Sequence, residues 1–256
     1  LLTLNVLAVA NEPIGMESIP AGTYSPFYPR EDVRNAPRPE TPPAKRMSIP
    51  IPGFWMDRDL VTRSDFLDFV RKNREWRKSQ VKRIFADTAY LKDWTTDLPQ
   101  MKRPADRKRP VVHVSWFAAS AFCHAKGEEL PRTDQWEYVA GDLGRHSKET
   151  ERETLAWYAR PNAKSLSSVG LRPANGFGIS DLYGLVWEWT LDYNDEMISD
   201  DSRGGDTGDL FCGGGSSGAR DPSNYAAFMR FSFRNSLKSN YTTANLGFRC
   251  AKEIIR

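Results

Sequence analysis

Residues Asn175 to Thr190 read Asn-Gly-Phe-Gly-Ile-Ser-Asp-Leu-Tyr-Gly-Leu-Val-Trp-Glu-Trp-Thr, and no other stretch restricts the fold as tightly. Gly176, Gly178 and Gly184 signal turns, while Asp181 and Glu188 set two carboxylates among Phe177, Tyr183, Trp187 and Trp189. Charges are rarely buried beside indoles unless something pairs them. A hard cation taking carboxylate and backbone carbonyl oxygens is one such partner, so a calcium clip is the first expectation. The plainer alternative is a Gly-rich turn leading into a strand, with Trp187 and Trp189 on one face and Glu188 facing water.

The remainder of the chain supplies one core rather than several. In 256 residues, 39% hydrophobic and 27% charged, no composition break separates two domains, and 17 Pro, 18 Gly and 8 Trp suggest a loop-rich build with aromatic anchors. The net charge of +3 creates no global field for nucleic acid or a membrane surface. Residues 1–10, Leu-Leu-Thr-Leu-Asn-Val-Leu-Ala-Val-Ala, end in a small-x-small pattern and read as the tail of a secretory signal. Polar Asn11-Glu12-Pro13 follows too soon for the roughly twenty residues a bilayer span needs. The expectation is a periplasmic or secreted, non-transmembrane protein with a single domain over 11–256. Cys123, Cys212 and Cys250 allow one disulfide and one leftover thiol in such a compartment, and their spacing fits no zinc pattern.

Along the chain, Glu17 to Tyr24 reads as a strand entered through Pro20-Ala21-Gly22, residues 30–46 as a proline-rich surface loop, and Met47 to Met56 as an edge strand. Thr62-Arg63-Ser64-Asp65 is a capping box, with Phe66, Phe69 and Val70 on the inner face of the helix that follows. Arg71 to Arg83 is a basic run around Trp76, either a solvated helix end or a docking patch for an acidic partner or anionic lipid headgroups. Residues 84–110 lack a usable periodicity, and so much connection implies a partner surface or disorder. Ser115 caps a helix that stops at Gly127, and Thr133 is placed as the N-cap of the next. His113, His124 and His146 are too scattered for a triad or a metal cluster.

The glycine-tryptophan run resembles the hallmark of the formylglycine-generating enzyme (sulfatase-modifying factor) family, Asn-Gly-x-Gly-Leu-x-Asp-x-x-Gly-Asn-x-Trp-Glu-Trp, with Leu185 in place of the usual Asn. A second match joins Pro110-Val111-Val112-His113-Val114-Ser115-Trp116, Phe122-Cys123 and Leu130-Pro131 through Trp136-Glu137-Tyr138; a third is Asn245-Leu246-Gly247-Phe248-Arg249-Cys250. The resemblance implies an α+β, C-type-lectin-related fold with little regular secondary structure, in which residues 71–109 are a divergent insertion. It also implies one structural calcium on Asp181, the Gly184 and Val186 carbonyls and Glu188, and a disulfide between Cys123 and Cys250. A second calcium loop is not expected, because no Asp or Glu occurs from 161 to 180.

In the family's enzymes two cysteines five residues apart bind copper and activate oxygen. Here those positions fall on Asp221 and Ala226, or by the other count on Ala219 and Asn224, and no cysteine occurs from 213 to 249. Cu(I) wants soft thiolate or thioether ligands, so no copper and no catalytic residue is expected. What remains is a candidate groove of Ser216, Arg220, Asp221, Tyr225, Arg230 and Arg234, whose cations and aromatics suit an extended peptide or acidic ligand. The alternative is that the aromatics are core and the arginines structural. The resemblance therefore implies an exported binding or regulatory protein with a protein or peptide partner in the cell envelope, such as a regulator of a membrane threonine kinase controlling type VI secretion. The rival is a periplasmic oxidase of a small aromatic or peptidic substrate, such as a siderophore precursor.

Overall fold

The computed structural model describes residues 12–24, 48–141, 165–193 and 236–254, together with Arg152, Ala156 and Arg234. Its strands are short. β1 (Met16–Ile19) and β7 (Ala251–Glu253) flank β4 (Phe54–Asp57) in an antiparallel sheet, with Ser18 opposite Trp55 and Trp55 opposite Lys252. β2 (Gly22–Tyr24) pairs with β3 (Ile49–Ile51), and β5 (Trp187–Glu188) runs parallel to β6 (Leu246–Gly247). The strand expected over 17–24 is thus two strands in two sheets, parted at Pro20-Ala21. The expected edge strand is likewise divided at Pro52-Gly53, and its second half is the centre of its sheet. The reason is local: Pro50 cannot donate to a ladder, whereas Phe54–Asp57 contains no proline and can pair on both sides.

α1 (Arg63–Lys72) starts on the capping box. Thr62 Oγ1 accepts from the Asp65 amide at 3.2 Å, and Asp65 Oδ2 accepts from the Thr62 amide at 3.0 Å. A short α2 (Pro104–Lys108) follows with proline in its first turn. α3 (Trp116–Ala125) is capped by Ser115 Oγ accepting from Ala118 N, and it ends before Gly127, which takes φ +71°. α4 (Thr133–Ala140) corrects the expected cap by one residue, since Thr133 is its first helical residue. The Thr133 amide donates to Asp192 Oδ1 at 2.7 Å, and its hydroxyl meets Thr190 Oγ1 at 2.9 Å. A carboxylate 59 residues away therefore satisfies the first amide of the helix.

Between α1, α3 and the closing segment lies the main core. Phe66 is fully buried, with its ring 5.9 Å from Phe122 and 6.2 Å from both Trp94 and Phe248. Residues 71–109 belong to this core: Ala86, Tyr90, Leu91 and Trp94 are buried in it, which decides against disorder there. Arg77 Nε and Nη2 donate to the Val70 and Arg71 carbonyls at the end of α1, and Lys78 Nζ reaches the Trp94 carbonyl. Two cations of the basic run thus serve backbone carbonyls rather than solvent. A second core packs α4 against β1, β3 and β4. The disulfide implied by the resemblance is present: Cys123 on α3 and Cys250 beside β7 are fully buried, with Cα atoms 5.6 Å apart.

Candidate functional site

The glycine-tryptophan segment is folded by its own first residue. Asn175 Oδ1 accepts from the Phe177 and Ile179 amides at 3.0 and 3.1 Å, and its Nδ2 donates to the Val139 carbonyl at 2.9 Å. Gly178 and Gly184 take φ of +82° and +90°, and between them Asp181 sits at φ +58°. That left-handed conformation is uncommon outside glycine, and it turns the Asp181 carboxylate inward, where Oδ2 accepts from Gly170 N at 2.6 Å. Burial pushes the Asp181 carboxyl up from its ordinary range; the Gly170 amide, Arg172 and Arg249 oppose that rise, and Asp59 adds to it. Asp59 Oδ1 is itself buried without a hydrogen-bond partner.

Glu188 does not face water: its side chain is 1% exposed and paired with Arg249, which is 0% exposed. Arg249 Nε donates to Glu188 Oε2 at 2.7 Å and Nη2 to Oε1 at 2.9 Å. Its remaining donors reach the Ser180 carbonyl at 2.9 Å, the Arg58 carbonyl at 3.1 Å and the Asp57 carbonyl at 3.2 Å. Every N–H of the guanidinium is therefore engaged, on Asp57 and Arg58 from one segment and on Ser180 and Glu188 from the glycine-tryptophan segment. Sequence reasoning missed this hub. The available signal was a cation between Phe248 and Cys250 in an apolar strand, which required a buried anion opposite.

For a calcium ion the donor chemistry fits in part. Asp181 and the half-buried Asp59, whose Oδ1 has no hydrogen-bond partner, give the surplus of acceptor oxygens that a hard cation relieves. Glu188 is already balanced by charge, although its two bonds to Arg249 leave lone pairs open on both oxygens. Near this site, Asp57, Glu128 and Cys250 bring ligand-type atoms within 4.8 Å of one another. That trio is not a metal centre, because the Cys250 sulfur is in the disulfide and Lys126 Nζ bridges the carboxylates, 2.7 Å from Glu128 and 3.4 Å from Asp57.

Of the candidate groove, Ser216, Arg220, Asp221, Tyr225 and Arg230 lie outside the described residues, as does Cys212. Arg234 is described. It is mostly buried, donates to Glu137 Oε1 at 2.7 Å and lies 5.9 Å from the Trp136 ring centre. Glu137 also accepts from the Tyr24 hydroxyl, so β2, α4 and Arg234 are joined by one carboxylate. Arg234 thus forms a structural pair with Glu137. Glu137 itself was missed, being one more acidic residue on a helix until the fold sets Tyr24 and Arg234 against it. His113 adopts φ +56° with Nδ1 buried and unbonded, His124 is exposed on α3, and His146 lies outside the described residues.

A family model described as the sulfatase-modifying factor enzyme 1-like domain matches residues 8–254. The Bos taurus protein named inactive C-alpha-formylglycine-generating enzyme 2 is 26% identical over 219 residues, covering 70% of this chain and 71% of its own length. The Streptomyces coelicolor formylglycine-generating enzyme is 33% identical over 167 residues, 56% of this chain and 52% of its own. Among solved structures, PvdO from Pseudomonas aeruginosa superposes with a TM-score of 0.53 at 19% identity, covering 93% of this chain and 94% of that one. At that identity the likeness speaks for the fold alone.

Proposed function

This chain belongs to the sulfatase-modifying factor enzyme 1-like family, and from that membership we propose that it is an exported, non-catalytic binding or regulatory protein that engages a protein partner in the cell envelope. The observation behind this reading is a count of sulfur. Of three cysteines, Cys123 and Cys250 are joined to each other, which leaves Cys212 alone. A copper site of the kind the family's enzymes use needs two soft thiolates, and one cysteine cannot supply them. A relative named as inactive over a comparable span supports the same direction. So does the interior chemistry: among the described residues, the buried charges of Arg249, Glu188, Arg234 and Glu137 satisfy one another instead of standing ready to react. Regulation of a membrane threonine kinase that controls type VI secretion is the specific form proposed for this binding.

Calcium belongs to the proposal as a structural clip. Asp181, the Gly184 and Val186 carbonyls and the open lone pairs of Glu188 would hold it, and its contribution would be to neutralise the acidic surplus beside Asp59. Affinity capture from the native envelope, with calcium and again with a chelator, tests both parts. Enrichment of one membrane-anchored protein that fails to appear with a control domain is the expected result. Oxygen uptake by the copper-supplemented protein, with a thiol peptide or a small aromatic substrate, would refute the non-catalytic reading. Equal melting temperatures in calcium and in chelator would refute the clip, since a ligand at a hundred times its Kd stabilises by about 2.7 kcal/mol.

A further inference from the structure

Five aromatic rings form an unbroken band over the described surface. Trp76 lies 5.9 Å from Phe85, Phe85 5.3 Å from Phe117, Phe117 5.5 Å from Trp116, and Trp116 6.2 Å from Tyr193. Each ring is only partly buried, unlike Phe66, Trp94, Trp189 and Phe248, which have sunk into the core. The inner edges of Trp76, Trp116 and Tyr193 pack on that core, and Trp116 Nε1 donates to the Thr190 carbonyl at 3.0 Å. The rings are therefore held rigidly while their outer edges stay open, which is the low-entropy platform that aromatic recognition surfaces use.

Charge surrounds the band unevenly. At the Trp76–Phe85 end, Lys82 and Arg83 are exposed in the turn closed by the Phe85 amide on the Lys82 carbonyl. Ile84 beside them is 69% exposed. At the Trp116 end, the Trp116 amide donates to the Ser239 carbonyl, which sets exposed Lys238 next to the band. Among the described residues none of these three cations has an ion-pair partner, in contrast to Arg77 and Lys78, which are turned onto carbonyls. The nearby Asp87 carboxylate is occupied by Thr242 and the Ala89 amide.

Resting on the binding function proposed above, we infer that this band is the docking strip for an extended, acidic segment of the partner protein. The contacting rings, 5.3 to 6.2 Å apart from one to the next, give an extended chain a run of apolar positions along which to lie. Acidic residues of that segment reach Lys82 and Arg83 at one end and Lys238 at the other. Two of the rings come from residues 71–109, which gives that insertion a role beyond filling the core.

The test is a titration of the full chain with a synthetic alternating Glu-Pro peptide, followed by tryptophan fluorescence, beside an alternating Lys-Pro peptide. Saturable binding of the acidic peptide with Kd below about 1 mM is expected, with none for the basic one. The triple variant K82E/R83E/K238E alters exposed side chains only. It should melt as the wild type does while losing at least about tenfold in affinity for the Glu-Pro peptide. Absence of a saturable response, equal responses to the two peptides, or an undiminished response in the triple variant would each overturn the assignment. Capture of the envelope partner by the triple variant at the wild-type level would remove the strip and leave the binding function standing. Failure of the wild type to capture any partner would remove the binding function itself.

Discussion

Replacing Arg249 with Met is the most demanding perturbation this fold offers. The substitution keeps an unbranched chain in the cavity but removes five hydrogen bonds, two to Glu188 and three to the Asp57, Arg58 and Ser180 carbonyls. Both partners of the ion pair are all but inaccessible, at 0% and 1% exposure, so solvent screens little of the loss. Breaking a buried pair from one side costs about 3 to 5 kcal/mol, because the other charge is left uncompensated. The orphaned carbonyls add to this, at about 1 kcal/mol or more for each that water cannot reach. The expected loss is therefore about 5 to 8 kcal/mol, a large part of a typical domain's total stability. Urea unfolding read by tryptophan fluorescence measures it, with the disulfide intact and a chelator present. The double variant E188Q/R249M separates charge from packing. If the stranded Glu188 carboxylate dominates, the double variant recovers about 2 kcal/mol or more relative to R249M. A loss below about 1 kcal/mol for R249M, or a double variant no better than the single, would show that the pair does not organise this fold.

Three further outcomes follow from particular contacts. Removal of the disulfide by Cys123→Ser with Cys250→Ser frees a closure of 127 residues; it should cost about 4 to 5 kcal/mol by chain entropy, read as a fall in urea midpoint absent from a Cys212→Ser control. Burial pushes the Asp57 carboxyl above its ordinary value of 3.8 despite Lys126. Its folded pKa exceeds the unfolded one, so the stability it contributes is fully present below the unfolded value and lost as pH rises through the folded one. In chelator, Asp57→Asn, which can still accept from the Cys250 amide, should flatten the stability profile just above the ordinary carboxylate range; an unchanged slope would place the titration elsewhere. Gly22→Ala would set a Cβ 2.8 Å from Cζ of the buried Tyr138 and overlap its hydroxyl. Overpacking of this kind costs about 1 to 3 kcal/mol, so a variant melting within a degree of the wild type would contradict the close approach.

The sequence by itself determined the elements whose causes are local. The capping box at Thr62 and Asp65, the Ser115 cap, the stop at Gly127 and the turns of the Asn175 segment each depend on side chains within a few residues of the backbone they satisfy, and all of them form. Cys123 and Cys250 were legible too, through the motifs that contain them. Only the tertiary structure decided which strands are central, that Asp192 takes the first amide of α4, that Ala86, Tyr90, Leu91 and Trp94 of 71–109 are buried in the core, and that Glu188 faces Arg249 instead of water. These outcomes turn on pairs 59 to 61 residues apart or more, and neither spacing nor periodicity reports what a chain brings together over such distances. A buried charge cannot choose its own environment: Glu188 needs a cation, and Arg249, 61 residues away, is the one the fold sets against it.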